Sequence, residues 1–246
     1  MELLQAIKGR RTIRRFKPEP VPRELLERLI QEAMWAPSAM NTQPWKFIVL
    51  TGQARQGLIA IAEGCIDQLD ERMKTLFNEK MRGMVRGYFR DFGGAPAIVA
   101  VVSSLPPEEV YRKGSLFSSC AALQNFLLLA HEAGLGACWM TGPLWVEQAI
   151  LSYLGCPDWG LVGITPIGWP DQSPPVPPRK HETIEWRLRP SSCKKNKNPL
   201  RQFATNTPAA RGSCFFPRLS FDFVQITVDG RFRKLHPLGQ FTQAAF

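Results

Sequence analysis

A chain of 246 residues suits one domain of ordinary size with an appendage, and a hydrophobic content of 44% allows a sizeable core. No apolar run reaches the roughly 18 residues that a membrane-crossing helix needs. Six scattered cysteines (Cys65, Cys120, Cys138, Cys156, Cys193, Cys214), with no C-x-x-C pair and only three histidines, argue against a zinc site or a disulfide framework and for reduced thiols in the cytoplasm.

The net charge of +10 is unevenly placed. Residues 1–186 hold 20 lysines and arginines against 19 aspartates and glutamates, whereas residues 187–246 hold 11 against 2. The basicity therefore belongs to the last sixty residues and says little about what the main body binds.

The opening MELLQAIKGRR reads as a short helix over 2–8; its acid precedes its basic residues, the reverse of a secretory leader. VPRELLERLIQEAMWAP follows, with Leu25, Leu26, Leu29, Ile30, Ala33 and Met34 at helical spacing, Pro22 in the first turn and Pro37 ending the element. WKFIVLTG (45–52) predicts a strand, 53–63 a helix, and 65–90 a longer charged helical stretch that Gly83 and Gly87 weaken. The continuous apolar run APAIVAVVSS (95–104) predicts a strand buried on both faces. SLFSSCAALQNFLLLAHEAGLG (115–136) predicts a helix apolar nearly all round, closed by Gly134.

ACWMTGPLW (137–145) reads as a short extended piece and turn, 146–155 as a helix, and GLVGITPIGWP (160–170) as a second buried strand. QSPPVPPRKHETIEW (172–186) is a proline-stiffened arm. Helices around a mixed sheet, an α+β sandwich, follow from this order. Residues 1–190 form the expected domain. Residues 191–246 form a basic, turn-rich extension, expected to be poorly ordered apart from a hairpin around Asp229-Gly230. The abrupt change of composition suggests a shifted reading frame or a fused fragment.

Four short segments could carry chemistry, and each has a plainer reading. GRRTIRRF (9–16) offers Arg10, Arg11, Arg14 and the Thr12 hydroxyl, a donor set suited to phosphate or to a merely solvated loop. PSAMNTQPW (37–45) offers Ser38 and Asn41 to the edge of a heteroaromatic ring, or is only a good turn. In Trp139-Met140-Thr141-Gly142-Pro143, Gly142 permits close backbone approach, while Trp139 and Met140 fit a core. PPVPPRK (174–180) holds Arg179 or Lys180 on a stiff arm, or is a linker. A dinucleotide G-x-G-x-x-G would need glycine where Trp139 stands, and no P-loop is present.

Taken in order, GRRTIRRF, PSAMNTQPW, GLGACWMTG, GITPIGWP and PPRK resemble the nitroreductase family of flavin mononucleotide (FMN) enzymes, over about residues 1–186. The resemblance implies the nitroreductase-like fold. It also implies an FMN whose phosphate, ribityl chain and pyrimidine edge meet Arg10, Arg11, Thr12 and Arg14. Pro37, Ser38, Ala39 and Asn41, with Gln43 nearby, would lie against the flavin ring from the other subunit of a homodimer. A backbone N–H of Thr141 or Gly142 would approach flavin N5, and Arg179 would return to the phosphate. Arg14 is the candidate cation for the N1–C2=O edge, where reduced flavin gathers negative charge.

The ring does the hydride chemistry, which suits a sequence without an evident nucleophile, general base or metal cluster. The implied reaction is ping-pong: NADH or NADPH gives hydride to N5, then a nitroaromatic, quinone or activated alkene takes it. Phe77, Met81, Met84, Tyr88 and Phe89 either roof the acceptor pocket or simply pack their helix. Relatives that dehalogenate, oxidise azolines or break down flavin leave the acceptor chemistry open. A different class of reading is a non-enzymatic flavin-binding module whose basic tail docks on nucleic acid or acidic partners; the tail lacks the aromatic interleaving expected of a nucleic-acid surface.

Overall fold

The computed structural model describes residues 1–75, 77–179 and 186. Met1–Pro177 form one compact unit and Pro178 opens a second; every element below belongs to the first. The domain limit expected at residue 190, the basic extension and its hairpin lie outside the described residues.

The centre is a four-stranded sheet in the order β1-β2-β4-β3, built from β1 (Trp45–Leu50), β2 (Ala97–Ser104), β3 (Gly136–Ala137) and β4 (Trp159–Gly168). All three pairings are antiparallel. The parallel component expected of a mixed sheet is one bridge between Thr12 and Ala137. Connections long enough for a parallel crossover are also long enough for an antiparallel return, so the sequence leaves strand direction open.

β2 explains the architecture. Its run of β-branched residues is buried along nearly its whole length, and alternate side chains enter opposite layers. Ile98, Ala100 and Val102 pack with Leu50 and Ile164 against α3 (Gly52–Glu63) and α7 (Glu147–Tyr153), through Leu58, Ile59, Ala62, Ile150 and Leu151. Val99 and Val101 pack with Ile167 against α2 (Arg23–Ala33) and α6 (Glu109–Glu132), through Leu26, Leu29, Ala33, Leu123, Phe126 and Ala130. Each fully buried Val, Leu, Ile or Phe among them contributes about 1.5–3 kcal/mol, enough to fix which strand face meets which helices.

α6 begins six residues earlier than its apolar run and ends where expected. Gly134 takes φ +79, its N–H reaches the His131 carbonyl at 3.1 Å and the Leu135 N–H reaches Ala130 at 2.8 Å. This reversal needs a residue without a Cβ. The expected helix over 65–90 is instead two, α4 (Ile66–Met73) and α5 (Glu79–Phe89). Asn78 restarts the second by accepting the Met81 N–H at 2.9 Å.

Candidate active site

The segment after α1 (Leu3–Gly9) runs along the sheet edge and is fixed from both sides. The Ile13 N–H donates to Ala137 O, and the Phe16 N–H to Gly93 O, each at 3.0 Å. Ile13 and Phe16 are buried with Ala95, while Arg14, between the two anchors, is exposed. Two glycines permit the close fit. A Cβ on Gly93 (φ +68) would stand 1.9 Å from the Arg14 carbonyl oxygen, and one on Gly136 would stand 2.7 Å from three carbons of Ile13. Beyond Arg14, the Arg15 guanidinium donates to the Asp171 carbonyl at 2.7 Å and 3.0 Å.

On the other side, Met140 bridges Ile164 of β4. Gly163 makes room for it, since a Cβ there would meet Trp139 Nε1 at 2.5 Å and Met140 O at 2.8 Å. The chain then enters a 3-10 turn at Gly142–Val146; the Gly142 N–H has no partner within the turn, Pro143 has no N–H, and the Leu144 N–H donates to Thr141 O at 3.1 Å.

Between these two segments lies a cavity of 980 Å³ lined by Arg14, Arg15, Gly93, Gly94 and Cys138–Gly142, and roofed by α4 and α5. Its volume is at the upper end of ligand sites. The roof side chains are Leu69, Met73, Phe77, Met81, Met84, Val85, Tyr88 and Phe89. Charges also tie the two roof helices together: Arg82 makes a bidentate bond to Asp70 (2.9 and 2.6 Å), and Arg86 reaches Asp70 at 2.6 Å and also pairs with Glu79. The hydrogen bond from Arg82 holds the Asp70 carboxyl below its ordinary pKa.

A smaller cavity of 240 Å³ is lined by Arg10, Arg11, His131 and Ser173, with Gln172 on the wall of both cavities. Arg11 turns back to donate Nη1 to the carbonyls of Lys8 (2.8 Å) and Arg10 (2.6 Å), so it also caps α1. Burial, then the nearby Arg10 and Arg11 charges, hold the His131 imidazole below its ordinary pKa. Burial pushes the Cys138 thiol up, against the pull of Arg14.

The segment Pro37–Gln43 lines neither cavity. It packs on the first half of α6, where the Ala39 N–H donates to Ser118 Oγ at 3.3 Å. Met40, Asn41 and Gln43 all take positive φ, between 45° and 52°, a conformation that costs of order 1 kcal/mol or more for a residue with a side chain. Ser38 Oγ accepts the Gln43 N–H at 3.1 Å, and Gln43 donates to Asn41 at 3.3 Å. Asn41 and Gln43 nevertheless remain exposed.

The structure thus gathers Arg14, Thr141 and Gly142 around one cavity and Arg10 and Arg11 around its neighbour. Thr12 lies between them in the chain, paired with Ala137. Pro37, Ser38, Ala39, Asn41 and Gln43 are elsewhere in the protomer, and Arg179 is an exposed residue of the second unit. Sequence reasoning left out Gly93, Gly94, Cys138, Gln172 and His131. The paired glycines before Ala95 were a visible turn signal; the other three residues carry no local signature.

Among known proteins, nitrobenzene nitroreductase of Ectopseudomonas oleovorans is 30% identical, over 69% of this chain and 87% of that protein. The solved structure of a nitroreductase-like protein from Bacillus cereus superposes with a TM-score of 0.63 at 28% identity, over 77% of this chain and 97% of that one. An oxidised iodotyrosine deiodinase, solved with FMN and 3-iodo-L-tyrosine, superposes with a TM-score of 0.61 at 26% identity, over 76% of this chain and all of that one. The model of the Nitroreductase family matches residues 7–169. The chain belongs to the Nitroreductase family.

Proposed function

We propose that the chain is an FMN-dependent oxidoreductase that uses NADH or NADPH to reduce an uncharged planar acceptor, a nitroaromatic, quinone or activated alkene. The observation that carries this reading is the single cavity joining Arg14 to the Thr141–Gly142 turn beneath an apolar roof. The donor set fits the flavin: arginines for a phosphate of charge near −2, the exposed cations Arg14 and Arg15 beside the main cavity, and backbone N–H groups at a glycine turn. When bound, FMN supplies hydride acceptance from the nicotinamide and hydride return to the acceptor.

The chain's residues bind, orient and seal. Arg10 and Arg11 offer charge-assisted hydrogen bonds to the phosphate. Arg14 would offer a cation to the pyrimidine edge, and Thr141 and Gly142 would offer backbone N–H groups to the ring. The α4–α5 roof shields the space above and grips a flat molecule through flexible methionines.

The amide loop completes the site from a second copy. Ser118, which holds that loop, stands 13 residues before His131 on α6, about 20 Å at 1.5 Å per residue. That separation of the loop from the small cavity, with its absence from the walls of both cavities, supports a site completed by a second copy. The exposed apolar side chains Trp35 (89%), Met40 (79%) and Phe117 (67%) lie on the loop, at the end of α2 and on the first half of α6, the kind of surface a homodimer covers.

A deiodinase-like reading is less well supported. An amino-acid substrate brings an ammonium and a carboxylate, whereas the roof helices present apolar side chains and one phenol to the cavity, and the carboxylate on its wall, Asp91, already accepts the Gly93 N–H. Among the described residues no helix is long and apolar enough to cross a membrane.

The test is reconstitution of the full chain with FMN. Yellow protein should bleach anaerobically on adding NADH or NADPH and regain colour with menadione or nitrobenzene. Failure to bind FMN overturns the proposal. Turnover of 3-iodotyrosine in preference to both neutral acceptors would overturn the acceptor class.

A further inference from the structure

Tyr88 is the polar side chain of the roof that turns inward. Its hydroxyl oxygen is sealed from solvent and makes no hydrogen bond of ordinary geometry, a costly arrangement that calls for a reason. Its polar neighbours are the Cys138 thiol, the Arg14 guanidinium and the Asp91 carboxylate, and the thiol in turn faces both the phenol and the guanidinium. All four residues line the large cavity.

The phenol cannot swing away. Its ring stands edge-on to Phe89 at 6.2 Å and tilted on Phe92 at 5.7 Å, and Phe89 and Phe92 are themselves packed at 5.6 Å. The backbone of Arg14 is equally fixed, by the Ile13 and Phe16 hydrogen bonds and by Gly93. What remains free to turn is the Arg14 side chain, and Cys138 and Tyr88 lie where its direction is set.

We propose that Tyr88 and Cys138 are positioning residues that aim the Arg14 guanidinium across the cavity at the pyrimidine edge of the flavin, tying the roof helix α5 to the flavin's affinity for electrons. The inference rests on the FMN reading above. A cation held in one place stabilises developing negative charge more than one that wanders, because no reorganisation is needed when the charge appears. Sulfur is a weak acceptor, so the thiol steers the guanidinium without locking it in an ion pair, and the arginine keeps its charge for the ligand. Both partners are neutral: burial raises the pKa of phenol and thiol alike.

The experiment measures the flavin midpoint potential of reconstituted full-length protein against a reference dye, with the FMN dissociation constant and visible spectrum recorded alongside. Arg14→Ala should lower the preference for reduced over oxidised flavin on the order of tenfold, the loss of one charge-assisted contact. Tyr88→Phe, which keeps the ring and its packing, should lower it about threefold, the scale of one lost polar neighbour. Cys138→Ala should act in the same direction and Cys138→Ser should restore most of the loss. The Tyr88→Phe/Cys138→Ala double variant should fall no further than Arg14→Ala, since all three act as one unit. If Arg14→Ala shifts the potential while Tyr88→Phe and Cys138→Ala stay at the wild-type value, the inference is overturned and the FMN reading stands. If Arg14→Ala has no effect, there is no cation to aim and the inference falls. Loss of FMN binding by the wild type would end both.

Discussion

The segment Arg10–Phe16 and the loop Pro37–Gln43 both carry side chains proposed to bind FMN, yet they are built in opposite ways. The first is sewn into the sheet edge, with Ile13 and Phe16 buried and backbone bonds to Ala137 and Gly93 on either side of Arg14. The second spends its hydrogen bonds on itself and on Ser118, holds three residues with side chains at positive φ, and leaves Asn41 and Gln43 exposed. On the proposed reading, a protomer completes one half of the site by folding and presents the other half outward. Strain in the second half makes sense if what it meets is another copy of the chain.

The sharpest way to break the first half is Gly93→Ala. The new methyl would stand 1.9 Å from a backbone oxygen at φ +68, so the Arg14 segment must move. FMN affinity should fall by more than about tenfold, with stability lower by about 1–3 kcal/mol from backbone strain and overpacking. Gly94→Ala is the matched control. Its φ is +74, but the nearest atom would be Phe16 O at 3.7 Å, so it should cost stability through the backbone alone and leave FMN affinity near wild type. Equal losses of affinity in the two variants would show that Gly93 holds nothing in particular.

The second half is best broken by mixing. Arg14→Ala damages the built-in half and Asn41→Ala the presented half. Each homodimer should bind FMN weakly at both sites. After subunit exchange of equal amounts, half the dimers are mixed and each holds one intact site, so about a quarter of the sites should recover. No recovery would place both residues in one protomer's site, against the separation along α6.

The roof should respond less. Asp70→Asn removes the carboxylate shared by Arg82 and Arg86 and loosens α4 from α5. Acceptor KM should rise about two- to fivefold, the scale of a partly exposed ion pair, with FMN affinity unchanged. The Asp70 pKa is lowered on folding, so its contribution to stability is present above the usual carboxylate pKa and is lost as pH falls through the folded value. The Asp70→Asn variant should lack that acid loss.

The same contrast explains what could be read from the residues alone. Regular burial was legible: the unbroken APAIVAVVSS run specified a strand covered on both faces, and Gly134 specified the end of α6. The arginine and amide segments were legible as motifs because their residue types and mutual spacing are unusual. The break between α4 and α5 was not, because one Asn cap in a charged stretch is a weak signal. Gly93 against Arg14, and Cys138 against Tyr88, were beyond reach. These pairs join residues 79 and 50 positions apart in the chain, and no local pattern records which distant backbone a glycine must admit.

The smallest expected effect lies in the phosphate half, at His131. Burial, with Arg10 and Arg11 close by, favours its neutral form. The folded protein therefore binds fewer protons than the unfolded chain below the ordinary histidine pKa of about 6.5. Stability is fully present above that pH and falls as the solution is acidified through the window between the unfolded and folded values. His131→Gln should flatten this slope in thermal melts of the flavin-free protein. The ligand then gives the comparison its finest edge. A phosphate held by Arg10 and Arg11 would offset their repulsion of an imidazolium, so the His131 NMR titration midpoint should move up when FMN binds. Riboflavin has the same ring and no phosphate, and should leave the midpoint where it was. An identical shift with both ligands would mean that His131 senses the ring or a change in packing, and that the phosphate sits away from the small cavity.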